Sequence, residues 1–147
     1  MLINKNITYI ENKKDIPKWY IVDAKNQNLG RLSSQIAYLL IGKNYNTYTP
    51  YLKNSINIII INSKFITITG KKKEQKTYKT HSGKPGGLKI ESFQELNERI
   101  PNRIIEKAIK RMLPKNTLGR NLFKQLKVYP DAIHPHLAQQ PILLTLN

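Results

Sequence analysis

Apolar residues along this chain fall into short blocks of differing period, and each block predicts an element. Residues 19–23 (WYIVD) are aromatic and β-branched and close on Asp23, which predicts a buried strand. A turn over 25–28 leads into a helix over about 29–41, because Leu32, Ile36, Leu39 and Leu40 recur at i, i+4, i+7 and i+8 on one helical face. Gly42 stops it. Residues 56–61 hold four consecutive isoleucines, as expected of a strand covered on both faces. Alternation of Phe65, Thr67 and Thr69 against Ile66 and Ile68 predicts a further strand at 65–69. Strand, helix and strand in this order point to a β-α-β unit and to the α/β class, with a parallel sheet at its centre.

The second half changes character. After Gly70 come Lys71, Lys72 and Lys73, then a Thr/Tyr/Lys ribbon and the turn-forming SGKPGG at 82–87, so residues 75–91 read as an irregular β-hairpin projecting from the core. Ser92 and Glu95 have capping-box spacing and start a short helix. Pro101 suits the first turn of the next helix, where Ile104, Ile105, Ala108, Ile109 and Met112 form one stripe and Arg103, Lys107, Lys110 and Arg111 lie largely off it. Pro114 ends that helix, a further one covers about 117–124, and 126–129 reads as a last strand. Residues 1–18 read as an extended arm, 19–130 as a single domain and 131–147, with HPHLAQQP, as an extended tail. A chain of 147 residues with 39% hydrophobic content supports one modest core.

Charge then narrows the class of partner. Twenty-five Lys and Arg against nine Asp and Glu leave a net charge of +16, which a phosphate-rich partner explains most simply. The charge runs along the whole chain instead of lining one face opposite Trp, Phe and Leu, and no apolar stretch of about 18 residues occurs, so a membrane partner is not expected. Absence of cysteine excludes disulfides and thiolate metal sites. The N-terminal residues have neither a signal-peptide apolar core nor the look of a transit peptide, which implies work in the compartment of synthesis. Lys, Ile and Asn abundance fits AT-rich coding, as in a small organellar or reduced bacterial genome.

Catalytic chemistry finds little support. His81, His134 and His136 are the only histidines, and a zinc site needs three or four ligands, so polar tail histidines near RNA or solvent are the simpler reading of His134 and His136. Asp23 ends a strand, where α/β folds often bind ligands, yet the following KNQNLGR lacks a dinucleotide fingerprint, and turn formation explains it better. A phosphate-binding surface is better supported. Lys76, Lys79, His81, Lys84 and Lys89 follow the lysine run, with Tyr78 interleaved and Gly83, Gly86 and Gly87 permitting close backbone approach. Tyrosine or histidine can stack on an unpaired base. From Ile109 onward the cations Lys110, Arg111, Lys115, Arg120, Lys124 and Lys127 meet no acid before Asp131, and Gly119 beside Arg120 could offer a backbone amide and a guanidinium to one phosphate.

Several phrases carry a resemblance: WYIVDAKNQNLGRLSSQIAYLL near the start, TYTPY at 47–51, the lysine-rich turn after ITITG, HSGKPGGLK at 81–89, and above all RMLPKNTLGRNLFKQLKVYPDAIHPHLAQQP. In order and spacing, from Trp19 to Pro141, they resemble the bacterial and organellar branch of the large-subunit ribosomal protein family numbered thirteen. That resemblance implies a three-layer α/β/α domain around a four-stranded parallel sheet of order 3-2-1-4. It implies a structural component of the large subunit that binds ribosomal RNA, acts early in assembly and has no enzymatic activity, cofactor or metal. Neighbouring large-subunit proteins are its implied partners, with no homo-oligomer, and plastid stroma is favoured over bacterial cytoplasm. Carried over by motif, Arg31, the loop of Lys71, Lys72 and Lys73, residues 81–89 and residues 110–127 are the implied RNA contacts. The arm to Lys18, Pro85 and residues 133–135 depart from the family pattern. Two rivals share parts of this profile: a small metal-dependent nuclease using Asp23 or the tail histidines, which lacks a convergent acidic cluster, and a free module that binds messenger RNA.

Overall fold

A computed structural model of the chain describes residues 17–146; the arm predicted over 1–18 lies almost wholly outside them. Strand β1 (Lys18–Asp23) is followed by helix α1 (Leu29–Ile41) and strand β2 (Ile56–Ile61). The two strands run parallel in register from Lys18↔Ile56 to Asp23↔Ile61. Asn28 caps α1 by accepting from the Gly30 amide, and Gly42 closes it in the left-handed region at φ 84°, its amide bonded to the carbonyls of Leu39 and Tyr38. A side chain at Gly42 would be strained by that φ and would also strike Asn54.

Beyond β2 come a single helical turn (Ser63–Phe65), helix α2 (Lys72–Gln75), and the antiparallel pair β3 (Thr77–His81) and β4 (Leu88–Ser92). Helices α3 (Phe93–Arg99), α4 (Asn102–Met112) and α5 (Thr117–Phe123) lead to β5 (Leu126–Val128), and β6 (Ile142–Leu143) lies close to the C-terminus. The parallel sheet has the order β5-β2-β1-β6, which is 3-2-1-4 when its strands are counted along the chain.

Pleating sorts the sheet residues. Tyr20, Val22, Ile56, Ile58, Ile60, Leu126 and Val128 face the side on which α1, α4 and α5 pack, in one apolar cluster. Leu32, Ile36 and Leu40 from α1 meet Ile104, Ile105 and Ile109 from α4 there, all at most 1% exposed. Each such side chain contributes about 1.5 to 3 kcal/mol by leaving water. Ile59 is fully buried on the opposite face, so the isoleucine run is covered on both sides as its composition predicts.

Three expectations need correction. Residues 65–69 do not form a strand: the left-handed Asn62 (φ 58°) turns the chain into the helical turn, and only Thr67 makes an isolated parallel bridge, with Asn28. The alternation is real, since Ile66 is buried and Phe65 is exposed, but the segment packs beside the start of α1 instead of joining the sheet. The fourth strand comes instead from the tail, where Ile142 and Leu143 pair with Tyr20 and Ile21, and the Leu144 amide donates to the Ile21 carbonyl at 2.8 Å. The lysine run, finally, is no loop. Lys71 is the N-cap of α2, and Lys72 and Lys73 are its first residues.

Candidate nucleic-acid interface

Helix α4 organises the basic surface. Its apolar stripe faces the core, and its last turn carries Lys110 and Arg111 where the negative end of the helix dipole favours cations. Adjacent residues on a helix point about 100° apart, so these two serve different neighbours. Arg111 lines a groove of about 270 Å³ with Lys72 and Lys76 from the α2 region, Asn28 and Gly30 from the start of α1, and Met112. Lys110 lines a second groove, of about 440 Å³, with Lys115, Arg120 and Lys124 around Leu113, Pro114 and Phe123. Met112, placed by periodicity in the core stripe, is 44% exposed and forms part of the first groove.

Lys76 shows the electrostatic state of the first groove. Burial, then the nearby charges of Lys72 and Arg111, hold its ammonium below the usual lysine range. Three cations therefore converge without a compensating acid in the groove lining. Among the described residues the ion pairs are Lys64 with Asp131, at 2.7 Å, and Arg99 with Glu91; neither uses a predicted phosphate-binding cation.

The hairpin is held by Tyr78, whose buried ring lies under two ammonium groups, Lys107 Nζ at 5.0 Å and Lys76 Nζ at 5.5 Å from the ring centroid. Tyr78 is thus a packing anchor and not an exposed stacking platform, and burial raises its hydroxyl pKa while Arg111 acts to lower it. Lys79 and His81 share one face of the hairpin with Ile90 and Leu88, and Lys89 sits on the other with Tyr78. His81 Nδ1 accepts from the Gly83 amide at 2.9 Å, so the neutral ring carries its proton on Nε2. Lys84 stands exposed in the turn, between Gly83 and Gly86, both at positive φ.

Elsewhere the placement is mixed. Lys71, Lys73 and Arg31 are exposed but line neither groove. Lys127 faces away from the helices, because Leu126 and Val128 on either side of it point into the helical core. The Gly119 amide is not free for a phosphate, since it donates to Asn116 Oδ1 at 2.8 Å as part of the α5 cap. Sequence reading missed Met112 and Phe123 as members of this surface, placing the first in the apolar stripe of the helix and the second among packing residues. Phe123 shares an apolar pattern with core residues, and only its place at a groove edge, with Lys110 Nζ 5.8 Å from its ring centroid, distinguishes it.

The residues weighed for catalysis have structural partners. Asp23 Oδ1 accepts from the Lys25 amide and from Asn62 Nδ2, each at 2.9 Å, which is turn chemistry. Glu95 completes the Ser92 capping box. His134, read from sequence as a polar tail histidine near RNA or solvent, is buried within the protein, and His136 bonds the Tyr129 hydroxyl at 2.8 Å while packing against Trp19 at 5.3 Å between centroids. These rings tie the tail to the start of β1. Among the described residues no group of three or more His, Asp or Glu side chains could hold a metal ion.

Comparison with known proteins agrees with this architecture. The sequence model of the family described as ribosomal protein L13 matches residues 17–135. The chain belongs to the ribosomal protein L13 family. It is 61% identical over 140 residues to "Large ribosomal subunit protein uL13c" of Gracilaria tenuistipitata var. liui, covering 95% of this chain and 98% of that one. Over 130 residues it is 59% identical to the uL13 protein of Acaryochloris marina, covering 88% of this chain and 86% of the relative. Family membership makes it a structural protein of the large ribosomal subunit and not an enzyme. Similarity to the plastid relative and to cyanobacterial ones is that of a plastid ribosomal protein.

Proposed function

We propose that this protein binds large-subunit ribosomal RNA through the two grooves flanking the last turn of α4 and through the basic hairpin, and that it supports subunit assembly by pinning RNA segments against a rigid sheet. The observation that carries the reading is the convergence of seven cations on two grooves whose linings contain no acid. A phosphate backbone supplies the missing negative charge, and strong net charge speeds the encounter. Lys71, Lys73, Lys79, His81, Lys84 and Lys89 extend the interface along α2 and the hairpin, while Arg31 and Lys127 reach other RNA segments from their own faces. Neighbouring large-subunit proteins complete the set of partners.

The test is salt-dependent RNA binding together with co-sedimentation. Replacing Lys71, Lys72 and Lys73 by Gln should weaken binding to all sequences and lower the log-log salt slope by about 0.7 to 0.9 for each phosphate no longer neutralised. Wild-type protein should stay with large subunits through a high-salt gradient. Release there as a free protein that binds messenger RNA equally well would replace this reading with that of a regulatory module.

A further inference from the structure

We propose that the groove between α4 and α5 takes one unpaired nucleotide, with its base against the apolar floor and its phosphate on the cationic rim. This deepens the RNA-binding reading and rests on it. The groove is built differently from its neighbour. Leu113, Pro114 and the half-buried Phe123 line it, whereas the groove of Lys72, Lys76 and Arg111 has no aromatic lining residue. Its volume of about 440 Å³ falls within the range of small-ligand sites. A paired RNA backbone could satisfy Lys110, Lys115, Arg120 and Lys124, but its bases are stacked inside the duplex and would leave the apolar floor wet. An unpaired base fills that floor and excludes water from it.

The rim suits the other half of the ligand. Arg120 offers a planar fork for two phosphate oxygens, and Lys115 and Lys124 add point charges. Lys110 lies loosely over Phe123, 5.8 Å from the ring centroid, so its ammonium is near both the ring and the rim. The walls are also fixed before any ligand arrives. Asn116 caps α5, and Gly119 packs tightly against the Pro114 carbonyl, which sets the distance between the two helices. A preformed site avoids the ordering cost that weakens flexible ones.

The experiment follows backbone amide shifts of the full chain at residues 113–124 during titration with uridine 5′-monophosphate, ribose 5-phosphate and inorganic phosphate. The nucleotide should bind about tenfold more tightly than ribose 5-phosphate, as one stacked base provides. Phe123→Leu, which keeps an apolar side chain in the core, should erase that preference and leave ribose 5-phosphate binding unchanged. A second measurement needs no variant: RNA carrying one 4-thiouridine in a bulge should cross-link to residues 113–123, and a fully paired RNA of equal length should not. Equal affinity for the three small probes, or equal cross-linking of bulged and paired RNA, would overturn the nucleotide assignment while leaving RNA binding intact. Loss of all RNA binding would instead remove the function on which it rests.

Discussion

Gly119 faces the Pro114 carbonyl so closely that a Cβ at this position would stand 1.8 Å from the carbonyl oxygen. The obstacle is backbone, so it cannot rotate away. Gly119→Ala should therefore push α5 off the end of α4 at a cost of about 1 to 3 kcal/mol or more. Denaturant unfolding measures the loss. An unchanged midpoint would mean that the turn from Pro114 to Asn116 relaxes freely.

Lys76 should trade stability for binding. Its depressed pKa means that the fold disfavours the charged form, a cost fully present at neutral pH and relieved as pH rises toward the ordinary lysine value. Because the side chain is only partly buried and solvent screens its neighbours, Lys76→Gln should raise the stability of the free protein by only about 0.5 kcal/mol or less. The same variant should bind RNA more weakly. Melting temperature and RNA affinity moving in the same direction would contradict the like-charge account.

Acid should loosen the start of α3. Hydrogen bonding by the Ser92 amide and side chain holds the Glu95 carboxyl below its usual range, so its contribution is present above the ordinary carboxylate value. It is lost as pH falls through the lowered value. Glu95→Gln should be less stable than wild type at neutral pH and should converge with it in acid, as thermal unfolding across a pH series would show. A constant difference down to pH of about 2 would exclude the carboxylate as the source.

Deleting residues 142–147 should cost about 1 to 3 kcal/mol, because Leu144 and Leu146 pack against the core and β6 covers the outer edge of β1. The truncated protein should also aggregate more readily through that open edge. Hydrogen exchange adds a site-specific check: the Leu144 amide, bonded to Ile21, should exchange slowly in the intact free chain.

Local chemistry was legible in the sequence wherever a few neighbouring residues decide the outcome. The span of α1, the Ser92 and Glu95 capping box, the closing role of Gly42, the buried isoleucine strand and the stripe of Ile104, Ile105 and Ile109 all follow from periodicity and side-chain hydrogen bonding within one segment. The phosphate-seeking charge was equally plain, because it is a sum over residues and needs no coordinates.

What covers each pattern was decided only by the tertiary structure. Residues 65–69 alternate like a strand but found no free sheet edge, whereas the two-residue β6 has almost no local signal and pairs with β1. Lys110 and Arg111 are sequence neighbours that the helical turn sends to separate grooves, and Lys127 is sent to the opposite side by the pleat. Tyr78 and Phe123 look alike as aromatics in basic segments, yet one is sealed beneath Lys76 and Lys107 and the other lines an open groove. Local pattern records that a side chain is apolar or charged. Burial against a particular partner depends on residues far apart in the chain, and only folding brings those together.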